Sequence, residues 1–111
     1  MGRGEHLGEF EQLVLLAVLS LADEDAYGMN VRQVLEATAG REVAVPTVYA
    51  ALDRLEAKGL VRARLGEATA ERGGRAKRLF RVEPAGITAL HGSRWQLDQM
   101  WRAAGIEPET P

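Results

Sequence analysis

The sequence predicts a mainly α fold with one small β-hairpin: three helices, a two-stranded hairpin and a long trailing helix. Three observations predict it. Apolar residues recur at helical spacing up to Gly59 and again after Pro84, they alternate with polar ones in between, and Gly and Pro stand at the boundaries. A chain of 111 residues is one domain's worth, and a hydrophobic fraction of 46% can fill one small core.

From Glu9 to Ala22 the chain is apolar nearly all round, so the first helix is expected to be covered on more than one side. Asp23, Glu24 and Asp25 break it, with Asp25 expected to cap the next helix. Tyr27, Val31, Val34, Leu35 and Thr38 then repeat at helical spacing opposite Arg32, Gln33 and Glu36, and Gly40 ends this amphipathic second helix. Pro46 and Thr47 read as the start of a third helix that runs to Lys58 and closes on Gly59. Val48, Ala51, Leu52 and Leu55 form its inner stripe, while Ala50, Asp53, Arg54 and Ala57 face the other way. That outer face is short, small and polar.

The period then falls to two. Val61, Ala63 and Leu65 alternate with Arg62 and Arg64, and Phe80 and Val82 alternate with Leu79 and Arg81, giving two strands with one buried face each. Their connection, Gly66 to Ala76, is long for a hairpin, contains Gly73 and Gly74, and has Arg72, Arg75, Lys77 and Arg78 at or beside its tip. Loops of that length are often functional. The last helix is expected from near Pro84 to about Ala104, with Gly105 stopping it and residues 106–111 forming a frayed tail. On it Ile87, Leu90, Leu97 and Trp101 share an arc of about 80°, with Trp95 nearly opposite Leu97. Two of its faces therefore need cover. The expected division is a domain over residues 1–83, a helix over 84–105 belonging to the same compact unit, and the tail.

The formal net charge of −2 hides a segregation along the chain. Residues 1–45 carry three basic and eight acidic side chains, residues 46–83 nine and five, and residues 84–111 two and three. With no cysteine, disulfides, thiolate zinc sites and cysteine nucleophiles are excluded. The longest apolar run, Leu13 to Leu19, is far short of the roughly 18 residues of a membrane span, and the first residues are too polar for a secretory signal. A cytoplasmic protein with no membrane partner is expected. His6 and His91 form no catalytic pair or metal cluster, so neither a cofactor nor an enzymatic activity is expected.

Three helices, a basic hairpin and a trailing helix follow the order of a winged helix-turn-helix, in which the third helix enters the DNA major groove and the hairpin flanks it. A slim outer face on that helix and cations concentrated in residues 46–83 fit a duplex. The stretches LGEFEQLVLLAVLSL, AYG, PTVYAALDRLEAKGLV and ERGGRAKRLFRVEPAG also give the chain a resemblance, over residues 8 to about 90, to the PadR-like transcriptional regulators, in their short branch. The resemblance implies a dimeric DNA-binding regulator, usually a repressor, whose last helix helps form the dimer and whose ligand, where one exists, acts by changing that dimer. Tyr49 and Arg54 match the family's tyrosine and basic residue on the recognition helix, and Arg75, Lys77 and Arg78 match its basic wing. Two positions depart from the pattern: Pro46 replaces a common glycine, and Asp53 stands where many members are basic. A carboxylate there is repelled by phosphate but can accept a hydrogen bond from a cytosine amino group.

The expected DNA contacts are Thr47, Tyr49, Ala50 and Arg54 on the third helix and Arg72, Arg75, Lys77 and Arg78 on the wing. Tyr49 reads equally as a partly buried ring with a wet hydroxyl. Trp95 and Trp101 are expected to pack in the dimer or to hold a small hydrophobic effector. The expected partners are double-stranded DNA and a second copy, joined through the first and last helices. The alternative is a winged-helix interaction module that docks an acidic protein without reading DNA.

Overall fold

The computed structural model describes residues 7–66, 77–107 and 109. The elements are α1 (Glu9–Ser20), one 3-10 turn (Asp23–Asp25), α2 (Gly28–Ala39), α3 (Val45–Ala57), β1 (Val61–Leu65), β2 (Arg78–Val82) and α4 (Pro84–Ala104). Helix α1 stops two residues short of the expected Ala22, where the Ser20 hydroxyl donates to the Ala17 carbonyl at 2.7 Å and Leu21 turns extended. Asp25 does not cap α2. It lies in the 3-10 turn, Tyr27 takes the cap position with no side-chain bond, and the Asp25 carbonyl accepts from Asn30 Nδ2 at 2.9 Å.

The core is where α1, α2 and α3 meet beneath the hairpin. Val14, Leu15, Ala17 and Val18 of α1 and Val31 and Leu35 of α2 are buried against Val48, Ala51, Leu52 and Leu55, the inner stripe expected of α3. Helix α1 packs against α2, α3 and β2, covered on more than one side as its apolar girth implied, while Leu16 and Leu19 stay exposed. At the end of α3 the chain reverses through Gly59, whose φ of 77° is a left-handed conformation that costs glycine little. The reversal delivers Leu60 and Val61 into the core.

The strands pair antiparallel with Val61 opposite Val82, Arg62 opposite Arg81, Ala63 opposite Phe80, Arg64 opposite Leu79 and Leu65 opposite Arg78. Val61, Phe80 and Val82 point into the core while Arg62, Arg64 and Arg81 stay exposed. Leu79, expected on the outer face with Arg81, is buried as well. The reason is a long-range pairing: Tyr27 bridges Leu79, and the Phe80 N–H donates to the Ala26 carbonyl at 2.8 Å, so the segment before α2 serves as a minimal third strand.

Helix α4 has 21 residues, about 31 Å of length, yet only Gly86 on it is buried. A Cβ at Gly86 would stand 2.6 Å from the Leu60 carbonyl oxygen and 2.8 Å from Val82 Cγ1, so its absence lets α4 cross the base of the hairpin almost in backbone contact. Beyond that crossing Trp95, Leu97, Met100 and Trp101 are exposed. Past Gly105, Ile106 and Glu107 are not helical; of the expected tail, residues 108, 110 and 111 lie outside the described residues.

Candidate nucleic-acid interface

Helix α3 begins at an extended Ala44, with Pro46 in its first turn, where a missing N–H costs no hydrogen bond. Because Val48, Ala51, Leu52 and Leu55 are drawn into the core, Pro46, Thr47, Ala50, Asp53, Arg54 and Ala57 are left exposed. The small groups at Thr47 and Ala50 allow the helix backbone a close approach to a groove about 12 Å wide.

Tyr49 is half-buried, its ring 6.4 Å from that of Phe80 and tilted by 58°. The ring lies against Gly28, the first residue of α2: a Cβ there would be 2.4 Å from Tyr49 Cζ and 2.7 Å from its hydroxyl oxygen. Glycine at this one position therefore seats the tyrosine hydroxyl at the N-terminus of α2. No side chain caps that terminus and its first turn holds no acidic residue, so its dipole keeps a positive end toward any nearby anion. The buried ring and the polar hydroxyl, alternatives on sequence grounds, occur together.

Arg54 is half-exposed, and its Nε donates to Glu11 Oε2 at 3.4 Å. Glu11 also accepts the Gly8 N–H at 3.0 Å and Lys58 Nζ at 3.0 and 3.2 Å, which ties the start of α1 to the end of α3. Burial pushes the Glu11 carboxyl up, but the Gly8 N–H, Lys58 and Arg54 outweigh it and hold the group below its ordinary value of 4.5.

Arg78 turns onto α3. Its Nη1 lies 3.0 Å from Asp53 Oδ1, its Nη2 lies 2.6 Å from Glu56 Oε1, and the guanidinium stands 4.9 Å over the Phe80 ring. Lys77 Nζ sits 4.0 Å above the Tyr27 ring. Arg72 and Arg75, with the rest of the loop over residues 67–76, lie outside the described residues. On the outer face of the hairpin Arg62 pairs with Glu83 at 3.0 Å, Arg81 with Asp23 at 2.6 Å, and Arg64 donates to the Asp23 carbonyl at 3.3 Å. Thr47, Tyr49, Ala50 and Arg54 are thus brought to one helix with Arg78 clamped beside them. Trp95 and Trp101 are both exposed on α4, about 120° apart around it.

Sequence reasoning passed over Glu11 and Gly28. Glu11 stands three residues inside a helix start, the position from which a glutamate reaches back to the cap residue, so a capping signal was present. The glycine of AYG had no local signal, because the ring that needs its space arrives from residue 49.

The sequence matches the model of the transcriptional regulator PadR-like family over residues 15–92. No curated protein matches the chain. Among solved structures, a PadR-like transcription factor from Bacteroides fragilis superposes with a TM-score of 0.72 at 21% identity, covering 86% of this chain and 86% of that one. A PadR family transcriptional regulator from Eggerthella lenta gives 0.67 at 24% identity, covering 87% and 83%. The Aeropyrum pernix ORC1 protein, solved in complex with DNA, gives 0.58 at 24% identity over 84% of this chain and 26% of its own. The fold these likenesses establish is the winged helix-turn-helix, here three helices, the β1–β2 hairpin and a trailing helix.

Proposed function

Because the chain belongs to the PadR-like family of transcriptional regulators, we propose that it is a repressor that occupies a palindromic operator as a homodimer. The observation that carries this reading is the exposed outer face of α3, slim at Thr47 and Ala50, with the Tyr49 hydroxyl set beside it at the uncapped start of α2. The domain over residues 1–83 binds DNA and the helix over 84–105 forms the dimer.

The steps follow from the chemistry of each surface. Cations of the wing, Arg72, Arg75 and Lys77, displace counterions from phosphates and supply affinity for any duplex. A phosphate at the start of α2 accepts from its free N–H groups and from Tyr49, which fixes register. Thr47, Ala50 and the outer edge of Arg54 then meet base edges in the major groove. The apolar side chains left exposed on α1 and α4, Leu16 and Leu19 with Ile87, Leu97 and Trp101, pair with those of a second copy. That pairing sets two α3 helices roughly 34–36 Å apart, one turn of DNA, and occupancy excludes the polymerase. A small hydrophobic effector held near Trp95 and Trp101 in the dimer would release the DNA by favouring another arrangement of the two copies.

No helix among the described residues is long and apolar enough to cross a membrane. The reading is tested by titrating the purified dimer with fluorescent duplexes drawn from its own upstream region and with random duplex, across a range of salt. Tighter binding to the upstream DNA with a steep salt dependence is expected. Equal affinity for the two at every salt concentration refutes it.

A further inference from the structure

The exposed flank of α3 carries two carboxylates where a duplex would lie, and this inference rests on the DNA-binding reading just given. Asp53 and Glu56 are three residues apart on one helix, hence neighbours on its surface. One guanidinium spans both. Arg78 places one terminal nitrogen on each, at 3.0 and 2.6 Å, while its guanidinium carbon lies over the buried ring of Phe80, 4.9 Å from the ring centre. Arg78 is also the first residue of β2, at the point where the wing loop rejoins the sheet. The fork therefore ties the root of the wing to the middle of the recognition helix.

Exposed ion pairs of this kind add almost nothing to stability, since solvent screens them and two side chains must be ordered to make them. Their geometry is another matter. A planar guanidinium held by two carboxylates and seated on a ring has one orientation, which a flexible ammonium would not keep. We propose that Asp53 and Glu56 are positioning residues for DNA binding: through Arg78 they fix the wing against α3, so that the two engage one duplex at a set angle. Arg78 then acts through the acids and not as a phosphate contact.

The proposal inverts the sign that simple charge predicts. Asp53→Asn with Glu56→Gln removes two negative charges from a chain of formal net charge −2, and charge alone should tighten its grip on every duplex. If the acids position the wing, the same double variant binds random duplex slightly more tightly but its selected operator about tenfold more weakly, a loss equivalent to one good base contact. Arg78→Lys keeps the charge and loses the fork, so its affinity for random duplex stays level while operator affinity falls by a similar factor.

The experiment first selects bound sequences from a random duplex pool with the wild-type protein, then measures operator and random-duplex affinities of wild type, the double variant and Arg78→Lys. Far-UV circular dichroism checks that all three fold alike. If the wild type selects nothing, the DNA-binding reading fails and takes the positioning role with it. If the wild type selects an operator but the double variant holds both duplexes more tightly, or Arg78→Lys matches the wild type on both, only the positioning role is overturned.

Discussion

Gly86→Ala adds a single methyl group where α4 crosses the base of the hairpin, and the structure allows its effect to be worked out. The new Cβ would lie 2.6 Å from the Leu60 carbonyl oxygen and 2.8 Å from Val82 Cγ1, both well inside van der Waals contact. The oxygen has nowhere to retreat without cost, because it accepts the Glu83 N–H at 2.9 Å and belongs to a buried leucine. Alanine gains about 1 kcal/mol over glycine in a helix. Against this stand overpacking, about 1–3 kcal/mol, and a strained hydrogen bond, about 1 kcal/mol. The net is a loss of about 1–3 kcal/mol, or roughly 4–13 °C in the melting midpoint of a domain this size. Gly92→Ala is the internal control, since nothing lies within 4 Å of its Cβ position on the same helix and the variant should be slightly more stable than wild type. Thermal and urea unfolding followed by circular dichroism, all at one protomer concentration because a dimer's midpoint moves with concentration, compares them. If Gly86→Ala melts level with Gly92→Ala, α4 does not cross the hairpin as described.

Four other outcomes are expected. Leu55→Ala empties a site with no solvent exposure and should cost about 2–5 kcal/mol in urea unfolding; a cost under about 1 kcal/mol would mean that α3 does not seat as shown. Glu11 titrates below 4.5 when folded, so the stability it brings is complete above that pH and drains away as pH falls through the lower folded value; Glu11→Gln should erase that acid-side slope in a pH series of urea midpoints, and an unchanged slope would place its origin elsewhere. Gly28→Ala pushes the Tyr49 ring off the start of α2, and as the end of that side chain can swing, the fold should survive while operator affinity drops about tenfold in fluorescence anisotropy. Leu97→Glu puts a charge on the exposed apolar arc of α4, and sedimentation is expected to show a dimer for the wild type, as proposed, and a monomer for the variant; a dimeric variant would move the interface off that arc.

What the sequence revealed and what it hid divide along one physical line. The stripe Val48, Ala51, Leu52 and Leu55 and the turn at Gly59 are local patterns and are seen as expected, whereas the strand alternation holds at Val61, Phe80 and Val82 but breaks at Leu65, which is exposed, and at Leu79. Leu79 is buried through a pairing with Tyr27, 52 positions away, which no window on the sequence contains. Charge shows the same limit. Counted along the chain, residues 46–83 are a basic block, but Glu11 and Asp23 fold back from the acidic segment onto Lys58, Arg54 and Arg81, and Asp53 and Glu56 hold Arg78. Segment totals say where cations are made, not where their fields are spent. The slim face of α3 was legible because helical period alone decides which side chains point outward.

Among the described residues β1 pairs with β2 alone, so its far side offers unmated backbone groups to any passing strand, including the same strand of another copy. Arg62 and Arg64 stand exposed along it. Two such strands brought together edge to edge would crowd like charges into the new seam, so self-templated stacking is disfavoured at its first step. Replacing both arginines by valine is therefore expected to raise the light scattered by a solution of the protein.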